Sequence, residues 1–140
     1  MSQRRFQGQV LNPGQITADA LVLDAPVSFW GGFDPVTGEI IDQRHPQGGM
    51  RLTDKIVVVV EARGSAGTPA GIAESIRTGV GPVGIVLRKP DVNISVGAAV
   101  AAQLYDIHVP VVCLERSDYA LIGSSRRIGI DKDGVVTILS

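Results

Sequence analysis

One cysteine and two histidines are the only soft metal ligands in this 140-residue chain. Cys113, His45 and His108 are too few to hold an iron–sulfur cluster or a structural zinc within the chain, so any such metal must come from a partner. A lone cysteine also makes no internal disulfide. Cys113 lies inside the apolar run Val109-Pro-Val-Val-Cys-Leu114, which reads as a buried strand with the thiol as a small core residue. Charge of one sign is equally scarce, with 13 Lys and Arg against 14 Asp and Glu. No sequence-wide basic field exists to hold nucleic acid or an anionic membrane. The pair Arg126-Arg127 is matched by Asp131 and Asp133 and is expected to form a solvated hairpin edge. No stretch approaches the roughly 20 apolar residues of a membrane span. The basic start Met-Ser-Gln-Arg-Arg-Phe has no apolar run behind it. These absences imply a cytoplasmic protein with no nucleic-acid and no membrane partner.

The chain does have apolar content, 44% of residues, enough for one well-filled core and too little for two domains, so residues 1–140 are read as a single domain. Residues 5–11 and 20–24 read as short strands separated by the turn signal Asn12-Pro-Gly14. From Lys55 the pattern alternates. Residues 56–61 form a buried strand. Residues 69–78 form a helix with Ile72, Ala73 and Ile76 on one face and Glu74, Ser75 and Arg77 on the other. Thr68 is its expected N-cap, Pro69 its first residue and Gly79 the residue past its end. Residues 83–87 form the next strand. A second helix, capped by Asp91 or Asn93, reaches Tyr105 and is apolar nearly all round, which predicts cover on both sides. Residues 109–114 form a third strand and 117–122 a short helix. Residues 126–131 and 135–139 make a hairpin around Asp131-Lys-Asp-Gly134. The fold class is therefore α/β, with a small parallel βαβαβ core joined by right-handed crossovers, added antiparallel strands and a β/β/α layering.

Two segments break this regularity. Residues 27–46 have no periodicity, yet they carry Phe29, Trp30 and Phe33 in a chain with only 4% aromatic residues, and also Asp34, Asp42, Arg44 and His45. An irregular stretch of this length within a domain is usually functional or disordered, and its aromatics argue against disorder. Binding residues concentrate in such loops. The structural alternative has Trp30 plugging the edge of the core and His45-Pro46 making a turn; His108 reads as a strand-edge residue. The second segment is Arg63-Gly-Ser-Ala-Gly-Thr-Pro69, where a strand stops and a helix starts. Gly64 and Gly67 let backbone approach a ligand, Ser65 supplies a hydroxyl, and the helix N-terminus directs partial positive charge at the loop. The alternative is an ordinary strand-to-helix turn. The segment is neither a P-loop nor a G-x-S-x-G nucleophile elbow.

Read from Ser28 to Pro46, Ser-Phe-Trp-Gly-Gly-x-Asp-Pro-x-Thr-Gly-x-Ile-Ile-Asp-x-x-His-Pro resembles the signature of the aconitase X family's small subunit, and Arg63-Gly-Ser65 occupies the place of that family's Gly-Ser turn. The similarity runs from about Phe6 to Ile138. What the resemblance implies is a swivelling β/β/α domain that closes over a larger, separately encoded, cysteine-bearing subunit holding an iron–sulfur cluster. No cofactor is then bound by this chain alone, and the hetero-oligomer dehydrates a small hydroxy acid. By the same resemblance Ser65 matches the catalytic base. Arg63, Gly64, Gly67 and Thr68 in the turn, with Phe29, Trp30, Gly31, Gly32 and His45 in the longer loop, match segments near the substrate. The family includes archaeal mevalonate 5-phosphate dehydratase and bacterial cis-3-hydroxy-L-proline dehydratase. Its turn commonly carries further serines, where this chain has Ala66-Gly67-Thr68-Pro69. A phosphorylated substrate would want more hydroxyl donors or a Lys, so the departure favours cis-3-hydroxy-L-proline. The rival from another class is a non-catalytic swivelling binding or phospho-carrier module with His45 as the phosphorylated group, although the Thr-Ser-His-type loop of such domains is missing.

Overall fold

Valine and isoleucine fill the central strands, and their side chains alternate between two cores. The computed structural model describes residues 4–64, 66–123 and 125–140. In chain order its elements are β1 (Arg5–Gln7), β2 (Gln9–Asn12), β3 (Ile16–Val22), β4 (Lys55–Val59), α1 (Thr68–Thr78), β5 (Gly84–Leu87), α2 (Val92–Tyr105), β6 (Val111–Cys113), α3 (Arg116–Leu121), β7 (Arg127–Ile130) and β8 (Val135–Ile138). The strands form one mixed sheet in the order β1-β8-β7-β3-β4-β5-β6-β2. One face of the parallel strands, with Val57, Val59, Ile85, Leu87 and Val111, packs on Ile72 and Ile76 of α1 and on Ile94, Ala98 and Ala101 of α2. The opposite face, with Ile56, Val58, Val86 and Val112, meets Ile128, Ile130 and Val136 of the terminal hairpin and Ile122 after α3. Period-two alternation thus serves both faces of a sheet buried on both sides.

The layering follows the sequence reading, with differences that have physical causes. The parallel region has four strands, because β3 pairs in parallel with β4 at Ala20↔Ile56 and Leu21↔Val57 ahead of the β4–β5 and β5–β6 pairs. β3 also starts earlier than residue 20, since its first half pairs antiparallel with β7 from Ile16↔Ile130 to Asp19↔Arg127, a partner far away in sequence. Ser75 lies on the buried face of α1, where its hydroxyl donates to the Ile72 carbonyl at 2.8 Å, so a small polar group is buried without loss. α2 is covered on one side only. Ile94, Gly97, Ala98 and Ala101 are buried against the rest of the chain, whereas Val92, Val96, Val100 and Leu104 are exposed. Arg127 pairs with Asp19 at 3.0 Å rather than with Asp131 or Asp133. Asp131 instead accepts the Asp133 and Val135 N–H groups and shapes the hairpin turn, which Gly134 completes at φ +85°.

Residues 5–11, expected as one strand, divide at Gly8. β1 pairs with β8 and β2 pairs with β6, so the two ends of the strand order are joined by one residue and the sheet curls until its edges meet. Gly8 donates to the Gly134 carbonyl at 2.9 Å, and a Cβ there would stand 2.9 Å from that oxygen and 3.2 Å from Val112 Cβ. Backbone oxygen and core side chain leave it no space. Gly8→Ala is expected to cost about 1–3 kcal/mol of stability, the usual range for overpacking a filled site. A urea titration with unchanged slope checks this, and a midpoint equal to wild type would show that the junction has room.

Candidate functional site

The chain leaves β4 along a path fixed from three directions. The Val60 carbonyl accepts from Arg88 N and Lys89 N at 3.2 and 3.0 Å, Ala62 N donates to Asp91 Oδ2 at 3.1 Å, and Arg63 N donates to the Val27 carbonyl at 3.0 Å. Asp91 has two roles, because its Oδ1 caps α2 by accepting Ile94 N at 3.1 Å. α1 then begins at Thr68 with Pro69 in its first turn, and its N-cap is Gly67, not the expected Thr68. Gly67 has helical dihedrals of −83° and −6°, so the helix starts one residue early and Thr68 turns inward, buried. Among the described residues Thr68 Oγ1 has no hydrogen-bond partner. Ser65 lies outside the described residues; Gly64 and Ala66 on either side of it are exposed.

The long irregular segment is the crossover between parallel strands β3 and β4, and it is ordered by its own polar groups. Ser28 Oγ donates to the Trp30 carbonyl at 2.8 Å, Gly32 N donates to the Ser28 carbonyl at 3.1 Å, and the Gly32 carbonyl accepts Ile41 N at 2.9 Å and Asp42 N at 3.3 Å. Phe29 and Phe33 are buried with ring centroids 5.6 Å apart, whereas Trp30 is 61% exposed. Trp30 is therefore no core plug; the two phenylalanines fill that place. Its indole lies against Gly67, where an added Cβ would overlap Trp30 Cγ and Cδ2. Four residues on, a Cβ at Gly71 would overlap the Phe29 carbonyl oxygen. The loop and the first turn of α1 interlock through these two glycines.

His45 is buried, and its ring is fully engaged by backbone. Nδ1 accepts Gln47 N at 3.0 Å, which leaves Nε2 as the protonated nitrogen, donating to the Ala25 carbonyl at 2.8 Å. Neither nitrogen is free to accept a phosphoryl group while this turn is intact. His108 is exposed and pairs with Asp106 at 2.9 Å. Asp42 ties the loop to the turn, with Arg63 Nη1 3.4 Å from its Oδ2 and Arg44 Nε 3.7 Å from its Oδ1.

Among the residues expected from sequence, Arg63, Gly64 and His45 line one open cleft of about 620 Å³ together with Asp42, Arg44 and Glu61. Phe29, Trp30 and Gly31 line a second hollow with Gly71 and Glu74. Gly67, against Trp30, and Gly32, bonded to Asp42, connect the two. Thr68 is behind the surface. Sequence reasoning noted Asp42 among the ionisable groups of the loop without assigning it a site role, gave Asp91 only as a candidate helix cap and placed Glu61 at a strand end. Asp42 closes its own turn: its Oδ1 accepts Arg44 N at 3.0 Å. Three carboxylates (Asp42, Glu61 and Asp91) and two guanidiniums (Arg44 and Arg63) line the first cleft. Such near balance suits a small ligand bearing both signs better than a multiply charged anion. The described residues do not fit a metal group. No three of their His, Cys, Asp and Glu side chains come close enough to hold an ion. The Cys113 thiol donates to the Arg88 carbonyl at 3.3 Å, and burial pushes its pKa up, away from the thiolate a metal needs. Among the described residues no helix is long and apolar enough to cross a membrane.

Comparison with known proteins bears on the family and the fold. A family profile described as "Aconitase X swivel domain" matches residues 5–138. A cis-3-hydroxy-L-proline dehydratase of Pseudomonas aeruginosa is 36% identical over 111 residues, which are 79% of this chain and 19% of that protein. A second protein of that name, from Hypocrea jecorina, is matched over 22% of its length, so the chain spans about a fifth of these two relatives. A phosphomevalonate dehydratase small subunit of Thermococcus sibiricus is 32% identical over 92% of this chain and 93% of its own. In three dimensions the holo-form crystal structure of Thermococcus kodakaraensis aconitase X superposes with a TM-score of 0.82 at 24% identity, covering 98% of this chain and 99% of that one. Because the profile covers the curled sheet, the crossover loop and the turn into α1 together, the chain belongs to the aconitase X swivel-domain family.

Proposed function

We propose that this chain is the small, swivelling subunit of a two-subunit hydro-lyase that dehydrates a hydroxy acid, cis-3-hydroxy-L-proline, to a pyrroline-2-carboxylate and water. One observation carries the reading: the crossover loop and the β4–α1 turn, far apart in sequence, meet through Trp30 on Gly67 and through Asp42 on Arg63, the second pair lining an open cleft. The dehydratase names of the relatives support the reaction class. The hydroxyproline relatives are several times longer than this chain, which supports a large partner supplying the remainder. Near-balanced charge in the cleft, and a turn whose Thr68 hydroxyl is buried away from the surface, favour a zwitterionic imino acid over mevalonate 5-phosphate. The phosphomevalonate alternative draws its support from small subunits that this chain matches end to end.

In this reading the large, cysteine-bearing subunit holds the iron–sulfur cluster, and this chain's own part is proton removal and orientation. Ser65 is the proton acceptor. Serine has no basicity near neutral pH unless its conjugate base is stabilised. Arg63, the N–H groups of the turn and the N-terminus of α1 supply positive potential at that place, and the same groups oppose the charge that develops as the proton α to the carboxylate leaves. Gly64 and Gly67 keep side chains out of the way, while Trp30 and Phe29 form an apolar wall beside the turn. The engaged ring of His45 supports a positioning role for that turn and counts against a phospho-carrier.

The first test is an anaerobic tagged pull-down from the native cells, with mass spectrometry of the partner and an iron assay. A cysteine-containing partner with bound iron supports the proposal, and lack of both would sink it. In the assembled complex, Ser65→Ala is expected to lower turnover of cis-3-hydroxy-L-proline by at least about 100-fold, the usual loss for a positioned acid–base group; near-wild-type turnover would remove Ser65 from the reaction. Trp30→Ala is expected to weaken assembly or raise KM while leaving the melting temperature of the isolated chain nearly unchanged, since the side chain is largely exposed. Phe33→Ala, by contrast, should cost the isolated chain about 3–5 kcal/mol. A large thermal loss in the Trp30 variant would return that residue to the core.

A further inference from the structure

The structure assigns Asp42 the role of positioning residue for Arg63, an inference that rests on the dehydratase reading for its consequence though not for its geometry. Asp42 has no polar atom left idle. Its N–H donates to the Gly32 carbonyl at 3.3 Å and its carbonyl accepts His45 N at 3.1 Å, so the backbone is fixed between the aromatic loop and the His45 turn. Its Oδ1 accepts Arg44 N at 3.0 Å, which sets the side-chain torsion and turns Oδ2 toward Arg63 Nη1 at 3.4 Å. The carboxylate is mostly buried, 19% exposed, and the guanidinium it meets is 58% exposed. A well-anchored, mostly buried anion thus meets a half-exposed cation, while the rest of the Arg63 guanidinium stays open to the cleft.

The other carboxylates of the cleft are otherwise committed. Asp91 uses both oxygens on Ala62 N and Ile94 N, and Glu61 faces Lys89 at 3.9 Å. Among the described residues Asp42 is the acid directed at Arg63. Since Arg63 stands two residues before Ser65, the direction of its guanidinium decides where a substrate carboxylate is received relative to the turn. Loss of Asp42 would free Arg63 to many rotamers and weaken carboxylate binding, without removing any group that takes the proton.

Two measurements test this. In the nitrogen-edited spectrum of the full chain recorded cold, the Arg63 Nη–H resonance that faces Asp42 should stand apart from those of free guanidiniums, and Asp42→Asn should move it to the free position. An unchanged resonance would overturn the positioning role whatever the enzyme does. In the assembled complex, Asp42→Asn should lower kcat/KM for cis-3-hydroxy-L-proline by about three- to fivefold, the scale of a partly exposed ion pair, through KM where Arg63 receives the carboxylate and through kcat where it supports Ser65. Asn keeps the oxygen that accepts Arg44 N, and the Arg44 guanidinium, 86% exposed and 3.7 Å away, loses little, so in an Arg63→Ala background the same substitution should have at most a small further effect. Additive effects of the two substitutions would overturn the inference, since a merely structural aspartate would act in either background. A wild-type complex inactive on both cis-3-hydroxy-L-proline and mevalonate 5-phosphate would instead bring down the functional reading, and the resonance would still decide the contact.

Discussion

Parallel pairing of β3 with β4 is the constraint on which the rest depends. Two parallel neighbours cannot be joined by a tight turn; the chain must travel the length of the sheet and come back. Between β4, β5 and β6 that return is made by α1 and α2, whose backbone groups are satisfied internally. Between β3 and β4 it is made by residues 23–54, which have no helix, so each buried backbone group there must find another partner. They find them pairwise: Asp34 N with Glu39 O, Ile40 N with Met50 O, Gly49 N with Ile40 O, Leu52 N with Gly38 O. Gln47 ties the segment to the end of β3, its amide donating to Val22 O at 2.7 Å and accepting Asp24 N at 2.8 Å. An irregular crossover with this many fixed points is rigid, and a rigid loop at the end of a parallel strand can hold side chains where a ligand arrives.

The opposite wall of the cleft is set by acids rather than by packing. Asp91 joins the turn after β4 to the cap of α2, and Asp42 joins that turn to the crossover loop. The position of residues 62–64 is therefore tied to two distant elements at once. Burial of Phe29 and Phe33 anchors the crossover from below, Gly71 lets the Phe29 carbonyl approach α1, and Trp30 is left on the outside with its indole against Gly67.

Much of this was legible in the sequence where a signal was local. The α1 and α2 spans, the Asp91 cap, the Gly79 stop and the Asp131-to-Gly134 turn are all decided by neighbours within a few residues, and the structure has them. What was not legible depended on partners remote in sequence. The antiparallel start of β3 exists because β7 lies beside it, and nothing in Ile16 to Asp19 announces that. The split of residues 5–11 had only Gly8 as a hint. That Trp30 faces out while Phe29 and Phe33 face in cannot be read from three aromatics in a stretch of five, since the choice is made by the Phe29 carbonyl sitting on Gly71. The apolar outer side of α2 was read as a covered face because hydrophobicity reports a preference for burial, not the presence of something to be buried against. At the site, residue types pointed to two segments that the fold brings together, whereas the contact of Asp42 with Arg63 could be seen only once their separation in sequence had closed.

The curled sheet leaves an unusual inheritance. A flat sheet of this many strands would carry two long edges, each a row of unpaired N–H and C=O groups able to recruit strands from other molecules. Here the edge strands are the three residues of β1 and the four of β2, consecutive in the chain. In the two-subunit assembly proposed above, a domain that parts from and returns to a larger neighbour would spend time with its surfaces uncovered. With its edges brought together at Gly8, such a domain can detach without offering a template for aggregation, so that freedom to move and resistance to misassociation come from the same single-residue joint.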